Sequence, residues 1–237
     1  MLREPDCLAD LANQADQATV RRVLTLDDGL ATLRSNLRNR WQEGEAVVVK
    51  PSNWVNRLLP DFVAQRTPMR AVFLTMNRAA FVRAIVRGGP DRTQFISRAA
   101  LHFSNADAAF PALVADALDW RADGPAQLLA LAATAHEMQR RLMGKAAAHW
   151  PNSVTMAFDD LAADPLATAR RAATALDLGL DEAQLERDCR HWAGRHAKAP
   201  ASAYSAAAEA GGQAAIEAEF GGLVDDLLEC AATRFGD

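Results

Sequence analysis

Apolar positions along the chain follow two rhythms, and the first is short and continuous. Residues 46–50 (AVVVK), 69–76 (MRAVFLTM) and 154–158 (VTMAF) are brief apolar runs bounded by charged and turn-forming residues, the pattern of buried strands. The second rhythm is helical. Leucines at 26, 30, 33 and 37 have the 4-3-4 spacing of an amphipathic helix over residues 26–37. A helix through Leu8, Leu11 and Ala12 follows Pro5, and a short one over 58–63 separates the first two apolar runs. NRAAFVRAIVRGG (77–89) predicts a helix stopped at Gly88-Gly89, and residues 93–118 predict one that Pro111 must break or restart.

Further along, residues 125–150 predict a long helix with Leu128, Leu131, Leu142 and Met143 on its apolar side. Asp164-Pro165 reads as an N-cap followed by a first-turn proline; the helix it starts carries Ala169, Ala172, Ala173 and Leu176 and is expected to stop at Gly179. Another begins at Asp181, and an acidic amphipathic helix over about 213–235 ends the chain. Three buried strands separated by helices predict an α/β fold, with the runs as neighbours in a parallel sheet flanked by helices and a helical C-terminal part.

Composition narrows the function. With 237 residues, half of them apolar, residues 1–237 fit a single domain with a sizeable core. The net charge of −4 argues against a general nucleic-acid binder, so any anion site must be local. Two segments meet that condition. Arginines at 70, 78, 83, 87, 92 and 98 face one acid, Asp91, and RDCRHWAGRHAK (187–198) opposes four cations with Asp188 alone. Either segment is a field for an anionic ligand or a solvated helix face.

Other chemistries are set aside on spacing. Cys7, Cys189 and Cys230 are odd in number and lack redox or metal spacing, so they are expected to be reduced and buried. His136-Glu137 starts a zinc-protease pattern, but the second histidine would fall at position 140, which is Arg140, and no metal is expected. No apolar run reaches the roughly 18 residues of a membrane span, and MLREPDCLAD lacks a signal-peptide pattern, so a cytoplasmic location is expected. Lys50, Ser52 and Asn53 lie at the carboxyl end of the first run, where ligands of open α/β sheets sit. The alternative for Lys50 is an exposed lysine after a strand.

The order of these pieces resembles a known family. LREP (2–5), VVVKPS (47–52) with LLP (58–60), AVFLTMNRAAFVRAIVRGG (71–89) and above all VTMAFDDLAADPLATARRAATALDLGL (154–180) are similar to sulfotransferases of the P-loop nucleotide-fold superfamily. The resemblance implies a five-stranded parallel sheet, 3′-phosphoadenosine 5′-phosphosulfate (PAPS) as co-substrate, no metal, and sulfuryl transfer to a hydroxyl or amine of a small-molecule acceptor. Lys50 matches the cation that stabilises charge on the bridging oxygen as the sulfuryl group leaves. Ser52 stands where cytosolic members carry a histidine base. Arg78, and Arg195 and Lys198 in the late basic loop, match nucleotide-phosphate contacts.

The family's phosphate-cradling loop precedes LREP, and no GxxxxGK[ST] occurs in the chain, so residues 1–237 are expected to be N-terminally incomplete. Its arginine–serine pair is also not supplied: eight residues after Met76 stands Ala84, and eight after Arg78 stands Val86. Two alternatives stay open. One is a catalytically degenerate scaffold acting as a binding module, and the other is a small-molecule kinase of the same superfamily using Asp159-Asp160 for magnesium. The expected partners are the nucleotide donor and the acceptor, with no nucleic acid and no membrane. An exposed sheet edge leaves homo-oligomerisation open.

Overall fold

Eight alanines and six leucines or methionines in the 26-residue helix Gly124–His149 give it high helix propensity and a face thin enough for close neighbours on every side. Each residue from Leu129 through Gln139 is buried, the mark of a helix at the centre of a core rather than on its surface. The computed structural model that contains it describes residues 6–14, 26–37, 46–65, 69–120, 124–193, 195–196, 199–203 and 206–236.

In chain order the elements are α1 (Asp6–Gln14), α2 (Leu26–Leu37), a 3₁₀ turn (Asn53–Leu58), α3 (Leu59–Ala64), β1 (Ala71–Thr75), α4 (Arg78–Arg87), α5 (Gly89–Phe103) and α6 (Phe110–Asp119). They continue with the central helix α7 (Gly124–His149), β2 (Ser153–Ala157), α8 (Phe158–Ala163), α9 (Pro165–Leu176), α10 (Glu182–Ala193), β3 (Arg195–His196), β4 (Ala199–Ala203) and α11 (Ala206–Phe235). Helices α3, α4, α5 and α6 pack on α7, and Val224 and Leu227 of α11 close the same core.

β1 and β2 pair in parallel and in step from Ala71↔Ser153 to Thr75↔Ala157, as the two apolar runs predict. Helices α7 and α9 pack against both strands, so the molecule is a helix-rich α/β protein whose small parallel sheet is flanked by helices. Trp150 anchors the pair from below: its indole N–H donates to the Met69 carbonyl at 2.7 Å, and its ring meets Phe73 edge-on at 6.1 Å.

The expected third neighbour is absent from that sheet. Residues 46–50 contribute a single bridge at Val49 and join neither described sheet. Val48 remains 42% exposed, so the run is not buried on both faces as an inner parallel strand would be. Pro51 follows at once and has no N–H for a ladder. Among the described residues the parallel sheet therefore has two strands, where the resemblance implies five.

Most helix expectations agree with what is observed. The helix over 26–37 has those bounds, and Gly88-Gly89 separates α4 from α5, with Gly89 at φ +78°. Pro111 falls in the first turn of α6, where it restarts the helix. Cys189 and Cys230 are free, as expected, but half-buried rather than buried. Among the described residues no helix is long and apolar enough to cross a membrane.

Candidate functional site

The carboxyl ends of both parallel strands are tied to each other by one side chain. Asn77 follows β1 and caps α4, its Oδ1 accepting from the Ala80 amide at 2.7 Å; its Nδ2 donates at 3.0 Å to Asp159 in the first turn of α8, directly after β2. This is the end of a parallel sheet at which α/β proteins bind ligands. Arg78 and Ala79 stand in the first turn of α4, where amides have no carbonyl one turn earlier within the helix to donate to, and the helix dipole adds partial positive charge there.

Two cavities open at that place, of about 200 and 430 Å³. The smaller is bounded by Asn53, Thr75, Arg92, Gln139 and Phe158 among others. The larger lies against Asn77, Arg78, Ala79 and Leu228. Met76, His136 and Arg140 line both. Gln139 is fixed from behind, its side-chain oxygen accepting from the buried Asn56 amide at 3.2 Å.

The wall between the cavities and the core is a charge cluster on α7. Glu137 is fully buried and accepts from Arg140 Nε at 2.8 Å, Arg140 Nη2 at 2.7 Å and Arg141 Nε at 2.6 Å, with Arg78 Nη2 at 3.6 Å. Burial pushes the Glu137 carboxyl upward, but the bonds from Arg140 and Arg141 outweigh it and hold it below the ordinary carboxylate range. Three guanidinium groups against one carboxylate leave an excess of positive charge at the cavity wall. Arg78 is also committed elsewhere: Nη2 donates to the Gly236 carbonyl at 3.0 Å, and its guanidinium lies over the Phe235 ring.

His136 has a defined tautomer. Its Nε2 lies 2.7 Å from the Met76 carbonyl, which can only accept, so the proton is on Nε2 and Nδ1 carries a lone pair. Burial lowers its pKa, the Met76 bond works against that, and Arg78 adds to the lowering. The imidazole is therefore neutral at physiological pH.

Of the residues singled out in the sequence, Arg78 lines the larger cavity. Lys50 is exposed and Ser52 half-buried; neither lines either of these two cavities, although Asn53, next in the chain, does. The Ser52 carbonyl accepts from the Val55 amide at 3.0 Å and so opens the 3₁₀ turn. The Arg195 backbone pairs in the β3–β4 hairpin, and Lys198 lies outside the described residues. Asp159 is engaged by Asn77, and Asp160 by Arg171 at 3.3 Å. Of the basic run over 70–98, Arg78 and Arg92 reach the cavities, whereas Arg70 and Arg83 pair with Asp177 and Asp225. That run thus divides between the two alternatives.

The residues missed were His136, Glu137 and Arg140. Their signal was present as a glutamate followed by arginines three and four positions later, a spacing that brings all three onto one helix face. Together these features define a helix-rich α/β protein with a basic cavity at the carboxyl ends of its parallel strands. Compared with protein-family models, curated proteins and solved structures, the chain has no match.

Proposed function

We propose that this chain is a sulfotransferase-like α/β protein of the P-loop superfamily that binds a PAPS-type nucleotide. The observation that carries the reading is the basic cavity lined by Arg78 and Arg140 at the carboxyl ends of β1 and β2. In a chain of net charge −4 a local surplus of guanidinium groups beside a helix N-terminus is suited to an anion. In this reading Arg78, Arg140, Arg195 and Lys198 hold the phosphates, Lys50 faces the sulfuryl group, and Ser52 faces the acceptor. The phosphate-cradling loop is not written in these 237 residues, so nucleotide binding is the activity proposed for the chain itself. Sulfuryl transfer to a hydroxyl or amine is proposed for a polypeptide that includes that loop.

A binding scaffold without catalysis is the second reading. It is favoured by the commitment of Arg78 Nη2 to Glu137 and Gly236, which leaves that group less free for a ligand. The kinase reading is weaker, because Asp159 and Asp160 are engaged by Asn77 and Arg171.

Calorimetric titration with adenosine 3′,5′-bisphosphate distinguishes these readings. A charge-assisted contact contributes about 1.5–3 kcal/mol, so Arg140→Ala and Lys198→Ala are each expected to weaken binding roughly ten- to a hundredfold. Absence of binding to the wild type overturns the nucleotide reading in favour of the scaffold. Equal affinity in all three proteins removes these residues from the site.

A further inference from the structure

Two large apolar side chains that stay exposed, Leu74 at 43% and Phe158 at 38%, meet at the smaller cavity. Leu74 comes from β1 and Phe158 from the start of α8; Phe81 of α4 and Met143 of α7, both only partly buried, complete an apolar lining. Apolar surface left open at a concave place marks a site where a ligand is bound. The volume of about 200 Å³ sets the size of that ligand. A cavity of about 150 Å³ accepts a benzene ring, so one ring or a branched chain of similar bulk fits.

The rim adds a cation that is not engaged. Arg92, in the first turn of α5, lines this cavity, and among the described residues its guanidinium has no ion pair, hydrogen bond or ring contact. Its stem lies where only glycine leaves room: a Cβ on Gly88 would stand 2.6 Å from Arg92 Cγ. Arg140 brings a second guanidinium from α7, half-exposed, but its Nε and Nη2 are taken by Glu137. None of the described lining residues is acidic.

We propose that the smaller cavity is a binding site for a small carboxylic acid with an apolar body. A ring or branched chain lies against Leu74, Phe81, Met143 and Phe158, and Arg92 holds the carboxylate. A planar guanidinium meets a carboxylate through two parallel N–H···O bonds, and one uncommitted guanidinium matches the single charge of that group. Neither half of the ligand is enough alone: acetate brings no apolar surface, and benzyl alcohol brings no charge.

Phenylacetate, acetate, benzyl alcohol, phenyl phosphate and adenosine 3′,5′-bisphosphate are titrated separately into the full chain at neutral pH. Phenylacetate is expected to bind at least about tenfold more tightly than acetate, the gain from burying one ring-sized apolar group. It is expected to exceed benzyl alcohol by at least about tenfold too, the gain from one charge-assisted pair. Arg92→Gln should remove the preference over benzyl alcohol. Ala84 also lines the cavity, and Ala84→Phe, which fills it from α4, should remove the preference over acetate. In the wild type the Met143 methyl resonance should move with phenylacetate through the ring current, while the methyls of Leu228, which lines the larger cavity alone, stay in place. That readout survives if either variant fails to fold. Equal binding of phenylacetate and acetate, a preference over benzyl alcohol retained in Arg92→Gln, tighter binding of phenyl phosphate than of phenylacetate, or an unmoved Met143 resonance each overturns the proposal. No nucleotide takes part in this binding. Phenylacetate binding without adenosine 3′,5′-bisphosphate binding upholds the carboxylate site and overturns the nucleotide reading, and the reverse result does the opposite.

Discussion

Glu137 is a fully buried carboxylate held by two neighbours on its own helix, with Arg78 approaching from α4. Removing its charge leaves those guanidinium groups facing one another, and breaking a buried pair in this way costs about 3–5 kcal/mol. Glu137→Gln is accordingly expected to lower the urea midpoint without changing the denaturant slope. The pH dependence follows from its depressed pKa. Its stabilisation is complete above the unfolded value of about 4.3 and is lost as pH falls through the lower folded value. Unfolding free energy should therefore fall between about pH 5 and 3, and less steeply in Glu137→Gln. His136 acts in a separate window: its folded pKa lies below the ordinary value of about 6.5, so its contribution is present above that pH and erodes below it. At this scale the sequence offered the pattern but not the burial. His136-Glu137 with Arg140 read only as an incomplete zinc pattern; the helical spacing that joins Glu137 to Arg140 and Arg141 was there, yet charged side chains are mostly exposed, and nothing in the letters put this one at the centre of the core.

Among the elements, α9 has the clearest start signal: Asp164 Oδ1 accepts from the Ala167 amide at 2.9 Å, and Pro165 occupies the first turn. Asp164→Ala should cost about 0.5–2 kcal/mol, seen as a lowered thermal midpoint. Where caps were written in the chain, as at Asp164, Asn77 and Asp181, helix starts were readable. The end of α9 was not. It stops at Leu176, before Gly179, because Asp177 takes the left-handed conformation (φ 56°, ψ 44°) that closes the helix; its amide donates to Ala173 and Thr174, and Arg70 holds its carboxylate at 2.9 Å. Aspartate in that role is uncommon enough that glycine is the natural guess. The run over 46–50 shows a different limit. Its β-branched residues read as a buried strand, but only Val49 makes a bridge, because which strands a run adjoins is decided by packing that a short apolar run does not encode.

For the whole molecule, the strand pairing gave the fold class, and the separation of its two members in the chain has a further consequence. Ala71 meets Ser153 only across α4, α5, α6 and α7, so pairing β1 with β2 closes a loop that contains much of the core. Closing a loop that long costs entropy before any ladder bond compensates for it, whereas contacts between successive helices form over short chain distances. Folding should therefore begin among α4–α7, and the parallel pair should assemble late against a helical layer already in place. Phe73, buried on β1, reports on that order. In stopped-flow experiments Phe73→Leu is expected to accelerate unfolding while leaving the refolding rate nearly unchanged, a φ-value near zero. A φ-value near one would instead place the sheet in the folding nucleus and make the helices followers.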